Sequence, residues 1–419
     1  MRGTADPGEP TKRGTATSRP ARVAFVSDAV MPFNTGGKER RLFEITRRLA
    51  AAGVEVHVYT MKWWEGPRTL VLDGVHLHAV GRQRSLYQGE RRSMRQAVLF
   101  GVATIRLLVA RFDVVDVDHM PYFPLFTARV VCSLRRRRLV ATWHEVWGAA
   151  GWRQYLGRLA PFGTLIERWA ARLPDEIVSV SAQTSDRLVL QLGVRVPVHT
   201  ILPGIALSDV AAQPAAEPPV DVLFAGRLLA NKNVDLLLRA VALLRPERPG
   251  IRCRILGEGP ERPRLVALRD ELDLAGTVEF AGFVPDDEIY GVMKSASVLA
   301  LPSVREGFGC VVVEANACGV PVVTVDHPDN AARHLITSGR NGYLATVDAA
   351  GLARALAAAL DAAPGMDSRA VAARAGHLRD WDEVAAEVHD VLARRLPRQP
   401  GRPAAPAGRA SGPGVRRAG

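Results

Sequence analysis

Ser303-Val304-Arg305-Glu306-Gly307-Phe308-Gly309-Cys310, followed by Val311-Val312-Val313-Glu314-Ala315-Asn316-Ala317-Cys318-Gly319 and Val320-Pro321-Val322-Val323-Thr324-Val325, decides how the chain is read. An apolar run at 298–301 precedes it, so the pattern is strand, glycine-containing loop, helix, strand. The same alternation extends outward in both directions. Strands are expected at 221–225, 252–256, 277–280, 298–301 and 322–325, with helices at 234–244 and 263–272 between them. Nearer the start, strands at 23–27, 54–60, 112–117, 138–143 and 176–180 alternate with helical segments, the first at 38–52. Strands alternating with helices predict parallel sheets covered on both faces.

Residues 206–220 (ALSDVAAQPAAEPPV) break the alternation and read as a linker. The expected architecture is therefore α/β, two doubly wound Rossmann-like domains facing a cleft. It comprises an N-terminal domain at 22–205, a C-terminal domain at 221–380 and a final helix at 381–396. Residues 1–21 and 397–419 are expected to be disordered tails, the latter rich in Pro, Gly, Ala and Arg without acids. In such folds ligands bind at the carboxyl ends of the strands, so the cleft is where chemistry is expected.

Two elements there carry candidate chemistry. Glu306-Gly307-Phe308-Gly309 can present backbone N–H groups beside a helix start, an arrangement suited to a diphosphate. Glu306 and Glu314, before and inside that helix, could hold hydroxyls at the two ends of a nucleotide-sugar; a solvated glutamate and an ordinary loop fit the same spacing. The second element, Phe224-Ala225-Gly226-Arg227-Leu228-Leu229-Ala230-Asn231-Lys232-Asn233, puts Arg227 and Lys232 after a strand. A forked guanidinium and an ammonium there would stabilise a departing diphosphate, although isolated exposed cations are common.

These two motifs, with the E-x7-E spacing, resemble the retaining family-4 glycosyltransferases of the GT-B fold. Asn34-Thr35-Gly36-Gly37 resembles that family's N-terminal glycine loop, and Val140-Ala141-Thr142-Trp143-His144 the strand ending in its active-site histidine. Leu202-Pro203-Gly204-Ile205 resembles the interdomain entry, Asn341-Gly342-Tyr343-Leu344 the last strand, and 381–396 the helix that returns to the N-terminal domain. The resemblance implies a sugar transferred from a UDP- or GDP-linked donor, with retention, to an unidentified acceptor in cell-envelope glycan, glycolipid or polysaccharide synthesis.

It implies that Arg227 and Lys232 bind the donor diphosphate, Glu314 the ribose and Glu306 the sugar. Gly307, Phe308 and Gly309 line the donor, and Val284 flanks the base. Gly36 and Gly37 approach from the other domain, and His144 reaches the sugar. Asn231, Asn233, Asn330 and His334 depart from the family pattern and put donor identity in doubt. A nucleotide-sugar epimerase or phosphorylase on the same fold, or a non-catalytic sensor, are the rival functions.

Other features bound the reading. Asp116-Val117-Asp118 mimics a metal-holding Asp-x-Asp, but with a cationic phosphate grip no metal or cofactor is expected. His119 is a weaker site candidate than His144, and Trp143 and Trp147 read as core. Gly257-Glu258-Gly259-Pro260 lacks the third glycine of a dinucleotide fingerprint. Cys310 and Cys318 stand roughly 12 Å apart along one helix, beyond disulfide reach. No secretory signal or spanning segment is read in the 419 residues, so a cytoplasmic location is expected. The formal charge of +12 suggests anionic partners, yet no nucleic-acid reader accompanies it. Arg135-Arg136-Arg137-Arg138 and the apolar, Arg-flanked stretch 91–111 suggest instead a peripheral contact with an anionic membrane surface, suiting a lipid-linked acceptor.

Overall fold

The apolar run in β1 (Arg22–Val26) is buried on both sides and takes the centre of a parallel sheet. The computed structural model describes residues 21–88, 91–366, 371–372 and 376–394. Both predicted tails lie outside them, apart from residue 21. The first sheet also contains β2 (Glu55–Met61), β3 (Thr69–Leu72), β4 (Val75–Gly81), β7 (Val114–Asp118), β8 (Arg138–Trp143), β9 (Glu176–Ser179) and β10 (Val198–Thr200), while β5 (Tyr87–Gln88) and β6 (Arg91–Arg92) pair separately. Its order is β10-β9-β8-β7-β1-β2-β4-β3, parallel except for β3 against β4.

That hairpin was not expected from the sequence. Its signal is the two-residue Asp73-Gly74 turn, both residues at positive φ (48° and 77°), between alternating apolar residues. Helices α1 (Gly37–Ala51), α2 (Met94–Ala103), α3 (Phe123–Arg135), α4 (Gly148–Leu156) and α5 (Ala160–Ala170) cover the sheet. One apolar core joins its face to α2, α3 and α5; another joins the opposite face to α1 and the C-terminal helix.

The second sheet comprises β11 (Val220–Ala225), β12 (Cys253–Leu256), β13 (Val278–Gly282), β14 (Ala296–Leu301), β15 (Val322–Val325) and β16 (Gly342–Ala345). It is wholly parallel, in the order β13-β12-β11-β14-β15-β16. Counted from its own first strand, this is the doubly wound order 3-2-1-4-5-6, whose switch point lies between β11 and β14. The two motifs expected to bind the donor follow these two strands. In the first sheet the switch point falls between β1 and β7, which places the 34–37 loop opposite them.

The linker reading needs correction. Residues 206–220 contain a helix, Leu207–Ala212, whose Val210 enters the second domain's core. Gln213 Oε1 accepts from the backbone N–H of Tyr290 and Gly291 (2.9 and 3.1 Å), so the segment is anchored to that domain. The helix Trp381–Ala393 packs on the first domain: Trp381, Val384 and Val388 share a core with Ile45 and Leu49. Asp380 caps it by accepting from the Asp382 N–H at 2.8 Å.

Candidate active site

On the second domain's side, Arg227 is exposed on the loop after β11, held by the buried Leu228. Lys232 ends a short turn (Ala230–Lys232), and Asn233, in the left-handed region (φ 49°), starts the next helix. The loop is tied to the one after β14: Val304 N–H donates to the Asn231 carbonyl (3.1 Å) and the Asn233 side chain to Pro302 (3.3 Å). Lys232 Nζ reaches Glu306 Oε1 at 2.5 Å. The structure therefore brings Lys232 and Glu306 together as an ion pair, so the two predicted roles are coupled. The departures Asn231 and Asn233 sit in this seam; Asn330 fastens beneath Glu306, donating to Thr324 Oγ1 and the Val325 carbonyl (3.0 and 2.8 Å).

Gly309 enters the helix Cys310–Ala317 at φ 100°, and a Cβ there would stand 2.5 Å from Ala332 Cβ, so both backbone and space demand glycine. Phe308 does not line a ligand as predicted; its side chain packs with Val312 and Val313 in the core, leaving only its backbone to the site. Val284 is half-buried beyond β13, beside the exposed Phe283. Glu314 is half-buried on its helix. Burial pushes its carboxyl up, while Arg40 from the first domain opposes the shift.

Across the cleft, Lys38 follows the glycine pair in the first turn of α1. Its ammonium lies 2.9 Å from Asp28 Oδ1, 3.0 Å from Ser27 Oγ and 3.6 Å from Asp118 Oδ2. His144 Nε2 lies 3.0 Å from Asp118 Oδ1. Burial alone would raise the Asp118 carboxyl, but Lys38 and the His144 hydrogen bond outweigh it and hold the group well below the usual carboxylate range. A network of Asp28, Lys38 and Asp118 thus fixes His144 at the end of β8. The sequence offers Asp118 only within its Asp-x-Asp pattern and does not single out Lys38. Their one sequence signal was position: each follows or ends a strand beside the switch point.

His119 is buried and stacked on Trp143 (ring centroids 4.8 Å apart), which is fully buried, so Trp143 is core as expected. Trp147 is only half-buried, and the Arg305 guanidinium from the other domain sits 4.7 Å from a ring centroid of it. Further contacts close the cleft. Arg40 pairs with Asp286 (2.8 Å), Arg187 with Asp329 (2.7 Å), and His334 meets Gln183 (3.2 Å). Gly307 lies against the carbonyl of His144: a Cβ there would be 2.1 Å from that oxygen. Gly37 is also close-packed, its Cβ position 3.3 Å from Cys310 Sγ.

The carboxylates of Asp116 and Asp118 face protein partners. Asp116 accepts from Thr142 Oγ1 at 2.7 Å, and burial raises its carboxyl to about 6. A folded value above the unfolded one (~3.9) means that Asp116 contributes stability fully below that unfolded value and loses it as pH rises through about 6. Asp116→Asn, which cannot ionise, should therefore gain Tm relative to the parent as pH goes from about 5 to about 7. Differential scanning calorimetry checks this; a Tm difference constant across that range would refute it.

The four-arginine run is only in part the solvated cationic patch it resembles: Arg136 and Arg137 are exposed, Arg135 and Arg138 are not. Arg135 donates to the carbonyls of Leu107 and Ala110, Arg137 pairs with Asp113 (3.2 Å), and Arg138 donates to the carbonyls of Val391, Leu392 and Arg394. Among the described residues no helix is long and apolar enough to cross a membrane.

The chain matches two family profiles, Glycosyltransferase Family 4 over residues 35–209 and Glycosyl transferases group 1 over 208–376. It is 28% identical to a glycogen synthase of Mycobacterium tuberculosis, covering 90% of this chain and 96% of that one. It is 29% identical to a D-inositol 3-phosphate glycosyltransferase of Streptomyces scabiei, covering 89% and 91%. Its fold matches sucrose-phosphate synthase from Thermosynechococcus elongatus with a TM-score of 0.75 at 20% identity, over 89% of this chain and 98% of that one.

Proposed function

The chain belongs to the family-4 glycosyltransferases of the GT-B fold, which use nucleotide-sugar donors, and from that premise we propose how it acts. The donor is a UDP- or GDP-linked sugar, and the product keeps the donor's anomeric configuration. The observation that carries this reading is the seam between the β11 and β14 loops at the switch point, closed by the backbone of His144 against Gly307. The diphosphate takes the Arg227 fork, the Lys232 ammonium and the N–H groups of the 307–309 loop. Glu314 accepts from the ribose hydroxyls and Val284 lies beside the base. Glu306 and His144 hold the transferred sugar from opposite domains, and Gly36 and Gly37 let the first domain's backbone approach.

The anomeric C–O bond to phosphate breaks as the acceptor oxygen attacks the same face. The leaving phosphate oxygen takes the acceptor's proton. Positive charge already aimed at that oxygen, from Arg227, Lys232 and the start of the helix Cys310–Ala317, lowers the barrier without a metal. The acceptor is a sugar, free or lipid-linked, or a small hydroxylated molecule, a reading supported by relatives named glycogen synthase and D-inositol 3-phosphate glycosyltransferase. The reaction belongs to the cytoplasmic side, at a membrane surface where the acceptor is lipid-linked.

The test screens nucleotide-sugars with candidate acceptors and measures free nucleoside diphosphate. Release should require both partners, and excess EDTA should leave the initial rate within about twofold. Conversion of donor without acceptor would mark an epimerase. Activity abolished by EDTA and restored by manganese would overturn the metal-independent mechanism.

A further inference from the structure

We propose that the face of the first domain built from α2, α3 and α5 docks on an anionic lipid bilayer. A helix apolar on both sides is expected only where its outer face is not left in water. The segment from α2 to residue 109 is such a helix. Its inner side buries Ala97, Phe100, Thr104 and Leu107, and its outer stripe is apolar too, with Val102, Ile105 and Val109 exposed by 62, 44 and 88%. Next to it, α3 exposes Leu134, and beyond α3, α5 exposes Phe162 and Trp169 one face apart from its buried Gly163, Glu167 and Ala170. The three helices pack on one face of the sheet through a shared core, so these residues form one surface rather than scattered contacts.

Charge identifies the occupant. Residues 94–111, 123–138 and 148–172 hold twelve arginines and a single acidic residue, Glu167. Glu167 is fully buried, bonded to Tyr122, Trp152 and the N–H groups of Trp147 and Gly148. The surface is thus apolar and rimmed by exposed Arg95, Arg111, Arg158 and Arg168, with the exposed Asp175 at its edge paired to Arg129 of α3 (2.9 Å). A second copy of the same face would be repelled by it. A bilayer carrying anionic headgroups satisfies both the apolar stripes and the cations. The cations come from the rim of the helices; within the 135–138 run Arg135 and Arg138 are engaged internally, Arg137 pairs with Asp113 and Arg136 is exposed. This surface lies outside the cleft, and its test is independent of the transfer reaction.

Full-length protein should co-sediment with vesicles of phosphatidylcholine containing phosphatidylglycerol, and binding should weaken as salt is raised. The pairs Val102→Ser/Val109→Ser and Phe162→Ser/Trp169→Ser should each lower the apparent affinity by roughly tenfold or more, and Arg95→Ser/Arg111→Ser by roughly fivefold per arginine. All six positions are exposed, so Tm should not move, and Leu243→Ser, equally exposed on the second domain, should bind like the parent. Binding undiminished by these pairs would place the contact elsewhere in the chain and overturn the proposal. So would equal pelleting with pure phosphatidylcholine. A dimer seen by light scattering, abolished by Phe162→Ser/Trp169→Ser without any vesicle binding, would assign the face to a second copy instead.

Discussion

Arg227→Ala is expected to lower turnover by roughly 10²–10³, the loss that follows removal of one preorganised donor to a developing negative charge. The magnitude follows from the charge balance of the site. Lys232 is paired with Glu306 at 2.5 Å, so its charge is already balanced by a neighbouring carboxylate. Without Arg227, the departing diphosphate would meet a pair that sums to zero and the partial charge of a helix start. Arg227→Lys should rescue little, because a single ammonium cannot grip two phosphate oxygens from one fixed plane. Arg227 is exposed on a loop and its removal opens no cavity, so Tm should stay within about a degree or two of the parent, as for surface substitutions generally. Steady-state kinetics with the true donor and acceptor decide the matter. Turnover near that of the parent would remove Arg227 from the phosphate site.

How much of this was legible in the sequence depended on whether the interactions are local. The strands after which Arg227 and Glu306 stand are buried on both faces and so read as apolar runs, and their loops are continuous segments. Both could be placed by alternation alone. The Asp28–Lys38–Asp118–His144 network could not, because the sheet assembles it from residues separated by up to about a hundred positions, and nothing in a linear pattern pairs Lys38 with Asp118.

Burial direction was the other hidden quantity. The Arg135–Arg138 run looks solvated, but it sits where a helix ends and a strand begins, and carbonyls at Leu107, Ala110 and Val391 draw two of its guanidinium groups, those of Arg135 and Arg138, inward. Conversely, Phe162 and Trp169 are apolar residues that any sequence pattern assigns to a core. Only the position of α5 on the outer side of the fold shows that they face out. Phe308 differs in the other sense: it stands between two glycines of the candidate donor loop, yet its ring fills the core and leaves its backbone to the loop.

Gly307→Ala should cost roughly 10²-fold in kcat while leaving donor affinity close to that of the parent. The added methyl would point at the carbonyl oxygen of His144, only 2.1 Å from the Cβ position, with Glu145 Cβ another 3.3 Å away. Neither atom is the end of a flexible side chain, so the clash is relieved by moving the loop or by parting the domains. Both movements would take His144 away from the sugar that Glu306 is proposed to hold from the other side, and a displacement near 1 Å is enough for a loss of this order. In the proposed reading the Arg227, Lys232 and Glu314 contacts to the donor come from the second domain and do not depend on Gly307, which is why donor binding should change less than kcat. Gly37→Ala provides the comparison: its methyl meets Cys310 Sγ at 3.3 Å, a contact that a side-chain rotation can relax, so its effect on kcat should be several-fold smaller. If Gly307→Ala turned over like the parent, or if it lost donor affinity and kept kcat, the closed contact between Gly307 and His144 would not be the geometry in which the sugar is transferred.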